Sequence, residues 1–141
     1  MNYLVMLDPC AGELEKILSG VKNMVLKEFD LVQPPAHLVR PGDGLYFLRN
    51  KDGYTVRVKA TVERVSCFIS GLDEDLPCSL KELQTRLQLT EIQYNDWSTK
   101  KHILLVEFIG AQKIKEIRVA PNKVSDRSDW ISFEDISLIK E

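Results

Sequence analysis

The stretch TVRVKATVERV, residues 55–65, constrains the fold most. Val56, Val58, Ala60 and Val62 recur at every second position, with Arg57, Lys59, Thr61 and Glu63 between them. A period of two belongs to a strand with one buried and one wet face, and a helix cannot satisfy it. Val65 falls out of phase, which predicts a bulge or the end of pairing there. Upstream, Asp52-Gly53 has the residues of a tight hairpin turn, and LYFLR at 45–49 provides the partner strand. A lone hairpin is marginal in water, so more strands must join it.

The rest of the chain supplies them. NYLVML at 2–7 reads as a strand. Asp8 then sits as an N-cap with Pro9 in the first helical position, where its missing N–H costs nothing. Cys10, Leu14, Ile17, Leu18 and Val21 follow at helical spacing, and Gly20 ends the helix in the left-handed conformation that glycine takes cheaply. KNMVLKEF is the next strand. DLVQPPAHLVRPGDG is irregular, because its prolines remove backbone donors and Gly42-Asp43-Gly44 is turn chemistry. SLKEL at 79–83 is a capping box on Ser79 and Glu82, with Leu80, Leu83 and Leu87 as the buried face. TEIQ at 90–93 repeats the device for a second short helix. HILLVEFIG is a buried strand, a turn follows at Gly110, and KIKEIRV is a further strand. WISFEDISLIKE, near the end, fits either a strand or a short helix. The order β-α-β-β-β-α-α-β-β predicts an α+β domain over residues 1–141. Its sheet is mainly antiparallel and curled into a small barrel, with two to three flanking helices over its openings. The absence of a βαβ rhythm argues against parallel pairing.

Length and composition exclude several classes. At 141 residues one domain buries roughly 65–70% of its unfolded surface, so no disulfide or metal staple is required. Cys10, Cys67 and Cys78 are odd in number, widely spaced and without a CxxC, which favours reduced thiols and a cytoplasmic protein. His37 and His102 lie in separate segments without metal-ligand spacing, so no metal or other cofactor is expected. The carboxylates of DEDLP at 73–77 read as a solvated loop before a cation site. No apolar run reaches the ~18 residues of a membrane span, and the first residues lack the basic region of a signal peptide. No GxGxxG, Walker-type loop or nucleophile elbow is present.

The net charge of −2 advertises no nucleic acid, but charge is unevenly spread. Residues 20–64 hold eight basic and five acidic side chains, residues 100–123 hold six and two, and the stretch 71–96 holds two and six. The two basic segments make a basic face only if the fold brings them together; otherwise they are mixed surface charge. Lys22, just past the helix-ending Gly20, also has two readings. It is a cation beside the free carbonyls of a helix end, or a lysine at the rim of a cleft aimed at phosphate or a base. Arg57 and Lys59 either track a phosphate backbone or form a plain polar strand face. Tyr46 and Trp97 are base-stacking surfaces or packing residues. Trp97 stands out because Lys100 and Lys101 follow it.

ILSGVK at 17–22, PGDGLYF at 41–47, SLKELQTRLQLT at 79–90 and ILLVEF at 103–108 resemble, in order and spacing, the ASCH family of small β-barrels related to the PUA RNA-binding domain. The resemblance covers most of residues 1–119. It implies a PUA-like barrel with a ligand cleft at the Gly-x-Lys corner. In the family pattern Gly-x-Lys-x-x-Glu-x-Arg, Gly20 and Lys22 match, Val25 stands at the glutamate and Lys27 at the arginine. Glu28 replaces that glutamate only if its strand carries a bulge. Some members are amidohydrolases acting on acylated cytidine. They need a threonine where this chain again has Val25, a side chain that neither donates a hydrogen bond nor relays a proton.

The expected function is therefore an RNA- or nucleotide-binding module. Lys22, Asn23, Lys27, Arg57, Lys59 and Lys100 are its candidate ligand contacts and Trp97 its stacking surface. One alternative is a small enzyme on modified nucleosides or RNA, of amidohydrolase or ribonuclease type, with Lys22 as its catalytic group. Another is a protein-interaction domain with an apolar patch near the C-terminal WISFEDISLI.

Overall fold

The structure, a computed structural model, describes residues 1–7, 12–28, 39–49, 54–69, 81–100, 102–120 and 130–140. The expected Asp8–Pro9 cap, the Asp52-Gly53 turn, the DEDLP cluster, Ser79, His37, Cys10 and Cys78 lie outside these residues. The strands are β1 (Asn2–Leu7), β2 (Met24–Glu28), β3 (Gly44–Arg49), β4 (Thr55–Ile69), β5 (His102–Arg118) and β6 (Trp130–Phe133). Helix α1 spans Glu13–Leu18, α2 spans Gln84–Leu87, α3 spans Glu91–Ser98, and a 3-10 turn covers Ile136–Leu138. No described helix is long and apolar enough to cross a membrane.

The six strands form one mixed half-barrel sheet in the order β2-β5-β4-β3-β1-β6. All neighbours are antiparallel except β1 and β3, which run parallel with Asn2 opposite Gly44 and Leu7 opposite Arg49. The missing βαβ rhythm hid this pair. The chain leaves β1 through α1 and β2, and β2 settles at the far edge of the sheet. The partner of β1 therefore arrives one strand later.

Two expectations about β4 and β5 need correction. The predicted turn at Gly110 does not form, and β5 runs unbroken through 17 residues. Its partner β4 keeps pairing along its whole length, from Ile69 opposite His102 to Thr55 opposite Arg118. Gly110 absorbs the irregularity with a φ of 67° instead of reversing the chain. The phase slip expected at Val65 falls slightly earlier, between Val62 and Arg64. A further shift between Val56 and Val58 moves Val56 to a different apolar cluster from Val58, Ala60 and Val62. All four valine and alanine positions are buried, as the alternation predicts.

Three apolar clusters result. The largest lies under α1, where Leu14 and Ile17 meet Val5, Phe47, Val58, Val106 and Phe108. A second joins Met24 and Leu26 of β2 and Ile103 and Leu105 of β5 to Leu87 and Leu89, with Tyr94 and Trp97 of α3 against it. Leu87 is fully buried, and truncating such a leucine to alanine costs about 2–5 kcal/mol. The third packs Leu4, Tyr46, Leu48 and Val56 beneath the C-terminal Phe133 and Ile139. The segment that fitted either strand or helix is both in succession, β6 and then the 3-10 turn.

Candidate functional site

The site grows from the end of α1. The Gly20 amide donates to the Ile17 carbonyl at 3.2 Å, Gly20 adopts a φ of 86°, and the Lys22 amide returns to the Lys16 carbonyl at 3.1 Å. This closed corner turns the Lys22 side chain inward. One residue on, the Asn23 amide donates to the Arg86 carbonyl at 3.1 Å, and the Asn23 carbonyl accepts from the Phe108 amide at 3.0 Å. Asn23 thus ties the corner to both α2 and β5.

A four-residue helix leaves its last carbonyls without intrahelical partners. Helix α2 ends at Gln88, a non-glycine residue with a φ of 54°. The Arg86 carbonyl is taken by the Asn23 amide, that of Leu87 by the Lys22 ammonium and that of Gln88 by the Lys16 ammonium at 3.1 Å. The Lys22 side chain is only 1% exposed, and its Nζ lies 3.6 Å from Glu13 Oε1, itself nearly buried. Burial pushes the Lys22 pKa down to about 8, and the Glu13 carboxylate opposes part of that shift.

The same two charged groups reach the wall of a cavity of about 270 Å³. Strand β1 contributes Val5, Met6 and Leu7, and β2 contributes Val25 and Leu26. Leu89, Gln93, Asp96 and Trp97 line it from the α2–α3 segment, and Trp130 closes it from β6. The Lys22 ammonium meets one helix-end carbonyl, that of Leu87, which belongs to α2 and not to the helix that Gly20 ends, and Lys22 also lines the cavity. An ammonium carries three protons, and Leu87 and Glu13 are its two partners among the described residues.

The other expected contacts scatter. Trp97 lines the cavity, and Lys27 Nζ sits 6.0 Å from the centre of the Trp130 ring, beside the wall. The Asn23 side chain instead accepts from Arg86 Nε at 2.9 Å, and Arg86 reaches buried Glu107 at 2.7 Å. Lys100 pairs with Glu28 at 3.8 Å. Glu28 cannot stand in for the absent family glutamate, because β2 pairs with β5 from Met24 to Glu28 without a bulge. Arg57 bonds Glu116 at 3.0 Å and lines a different groove with Leu14, Leu18 and Lys113. Lys59 lies 5.2 Å from the centre of the Tyr46 ring, and Tyr46 is buried against Phe133. The sheet order separates them from the cavity, since β4 stands two strands from β2.

Four cavity residues escaped the sequence reading. Glu13 is a helix-start carboxylate like many others, and Gln93 looked only like a helix cap. Asp96 carried no spacing signal, and Trp130 fell in a tail of undecided structure. Glu13 places a carboxylate beside Lys22 while the Val25 position lacks one.

A single-substitution variant of the ASCH protein from Zymomonas mobilis aligns with a TM-score of 0.70 at 14% identity, over 97% of this chain and 93% of that one. The unsubstituted ASCH protein of the same organism aligns at 0.61 and 16%, covering 83% and 73% of the two chains. The N-terminal domain of McrB from Staphylothermus marinus aligns at 0.50 and 8%, covering 83% and 76%. No protein-family model and no curated protein matches the sequence. The protein has an ASCH-like, PUA-like fold, and at these identities the likeness is one of fold alone.

Proposed function

We propose that the protein binds a nucleotide unit, free or within single-stranded RNA, by taking its base into the cavity beside Lys22. One observation carries the reading: two indoles, Trp97 and Trp130, line a cavity of about 270 Å³, large enough to admit a base, that also presents Lys22, Glu13, Gln93 and Asp96. Stacking a base on an aromatic ring is worth about 1–3 kcal/mol without regard to sequence. The polar groups supply donors and acceptors for the base edge. Two carboxylates against one ammonium disfavour a phosphate inside, so the backbone stays at the rim, on the side of Lys27.

Trp97 and Trp130 are the only two tryptophans of the chain, so stacking has a direct optical readout. Titration with short single-stranded RNA at two salt concentrations is expected to quench their fluorescence saturably. Trp97→Ala is expected to weaken binding about tenfold. A wild-type protein whose fluorescence and anisotropy ignore every RNA and nucleotide tried would overturn the reading.

A second reading is favoured by the acid–base state of Lys22. A buried ammonium with a pKa of about 8, facing a cavity and 3.6 Å from Glu13, suits a general base. The substrates would be RNA or an N-acylated cytidine. Turnover would rise with pH through about 8 as Lys22 loses its proton. Recovery of both compounds intact after incubation at pH 9 would leave binding alone.

A further inference from the structure

Glu107 is a nearly buried carboxylate outside the cavity wall. It stands on β5 opposite Met24 and gathers two arginines from distant parts of the chain. Its Oε1 lies 2.7 Å from Nη2 of Arg86 on α2, and its Oε2 lies 3.8 Å from Nε of Arg64 on β4. Arg86 is fixed a second time, because its Nε donates to Asn23 Oδ1 at 2.9 Å. A buried carboxylate needs a close cation, and Arg86 is that cation. Arg64 is then in surplus. At 3.8 Å it is an ion-pair neighbour, too far for a hydrogen bond, and its N–H groups have no hydrogen-bond partner among the described residues. Its side chain is 74% exposed, and that of Arg86 is 40% exposed. Two guanidiniums on one carboxylate leave one positive charge in excess, facing solvent.

We infer that Arg64 and Arg86 form a phosphate-binding clamp, which holds a backbone phosphodiester of a single-stranded nucleic acid that has a base in the cavity. This deepens the base-binding reading and rests on it. A guanidinium presents its N–H groups as a planar fork that phosphate oxygens accept. Like charges repel, but each arginine here faces a different oxygen of the same carboxylate, so the two stay together. In the cavity the carboxylates outnumber the ammonium; at Glu107 the cations outnumber the carboxylate. The clamp adjoins the cavity through α2, where the Leu87 carbonyl receives Lys22 and the preceding residue, Arg86, donates to Asn23. Glu107 stands opposite the first residue of β2 and Lys27 lies near the last, so the clamp adds a second phosphate position towards the other end of that strand.

Arg86 also neutralises Glu107, so Arg64 gives the cleaner test. The full chain is titrated with a short oligouridylate across a salt series, read by anisotropy and by tryptophan fluorescence, for wild type, Arg64→Gln and Lys140→Gln. Lys140 is an exposed cation bridged to Val119, towards the opposite end of β4, and its loss changes the net charge equally. Arg64→Gln is expected to weaken binding about fivefold at low salt and to lower the slope of log affinity against log salt by about 0.7, the share of one phosphate on a single strand. Its melting temperature and its tryptophan quenching at saturation are expected to stay as in wild type, and Lys140→Gln is expected to keep the wild-type slope. An unchanged affinity and slope in Arg64→Gln, or an equal loss in Lys140→Gln, overturns the clamp and leaves base binding standing. A wild type that neither binds the oligouridylate nor shows quenching overturns both.

Discussion

Lys22 and Arg57 both belong to the basic segment between residues 20 and 64, yet the fold gives them opposite fates. Lys22 is 1% exposed, held by a carbonyl and a carboxylate, and turned to a cavity. The Arg57 side chain is 35% exposed on β4, facing Glu116 of the neighbouring strand β5 at 3.0 Å. The first charge has left water and depends on every partner it meets. The second remains solvated, and its partner mostly neutralises it. A basic stretch of sequence is therefore not a basic face. What counts is where each cation ends and which carboxylate waits there.

Three experiments strain this contrast. The largest effect is expected from Lys22→Met. Removing the ammonium takes a cation from beside the nearly buried Glu13 carboxylate and leaves the Leu87 carbonyl without the Lys22 donor. Breaking a buried pair in this way costs about 3–5 kcal/mol, to be read from urea unfolding. A loss below about 1 kcal/mol would mean that Lys22 is as dispensable as a surface cation.

Next comes pH. The folded-state pKa of Lys22, about 8, lies below its ordinary value of 10.5. Between these values the unfolded chain binds more protons than the folded one, so stability rises with pH across the window. From pH 8 to 9.5 the gain is on the order of 1–2 kcal/mol, and Lys22→Met should flatten it. Above pH 10 Tyr3 acts in the other direction, because burial raises its pKa in the folded state. A flat or falling curve between pH 8 and 9.5 would show that the lysine is better hydrated than its burial indicates.

The smallest effect belongs to Arg57→Ala, a change within about 0.5 kcal/mol in stability and none in nucleoside affinity. Its informative arm is RNA. If the salt dependence of RNA binding dropped by about one unit of slope, β4 would be a phosphate-contacting surface in addition to the cavity. The contrast with Lys22 would then be one of role and not of relevance.

Much of the frame was legible from local pattern. The alternation at 55–62 reports the pleat directly, and every one of its apolar positions is buried. The Thr90–Gln93 box is visible as TEIQ and forms as such. Gly20 ends a helix in the left-handed region, as a glycine at that place should. These features depend on neighbours within a few residues. The errors share a cause as well. The β1–β3 parallel pair and the uninterrupted β5 are both set by distant partner strands, and no local residue announces a distant partner.

The site divides along the same line. By itself the sequence determined a helix end, a glycine corner and a lysine that follows it, because backbone sterics and spacing settle those within one turn. It also showed Trp97 shortly before two lysines, Lys100 and Lys101. Only the tertiary structure decided what Lys22 touches. Leu87 lies 65 residues further on, Glu13 is one carboxylate among many, and Trp130 joins the wall through a strand at the opposite edge of the sheet from β2. A cavity is the space left when several elements pack, so no one of them encodes it. The depressed pKa and the two-indole wall exist only after that packing, since desolvation and the meeting of two distant rings are properties of neighbours in space.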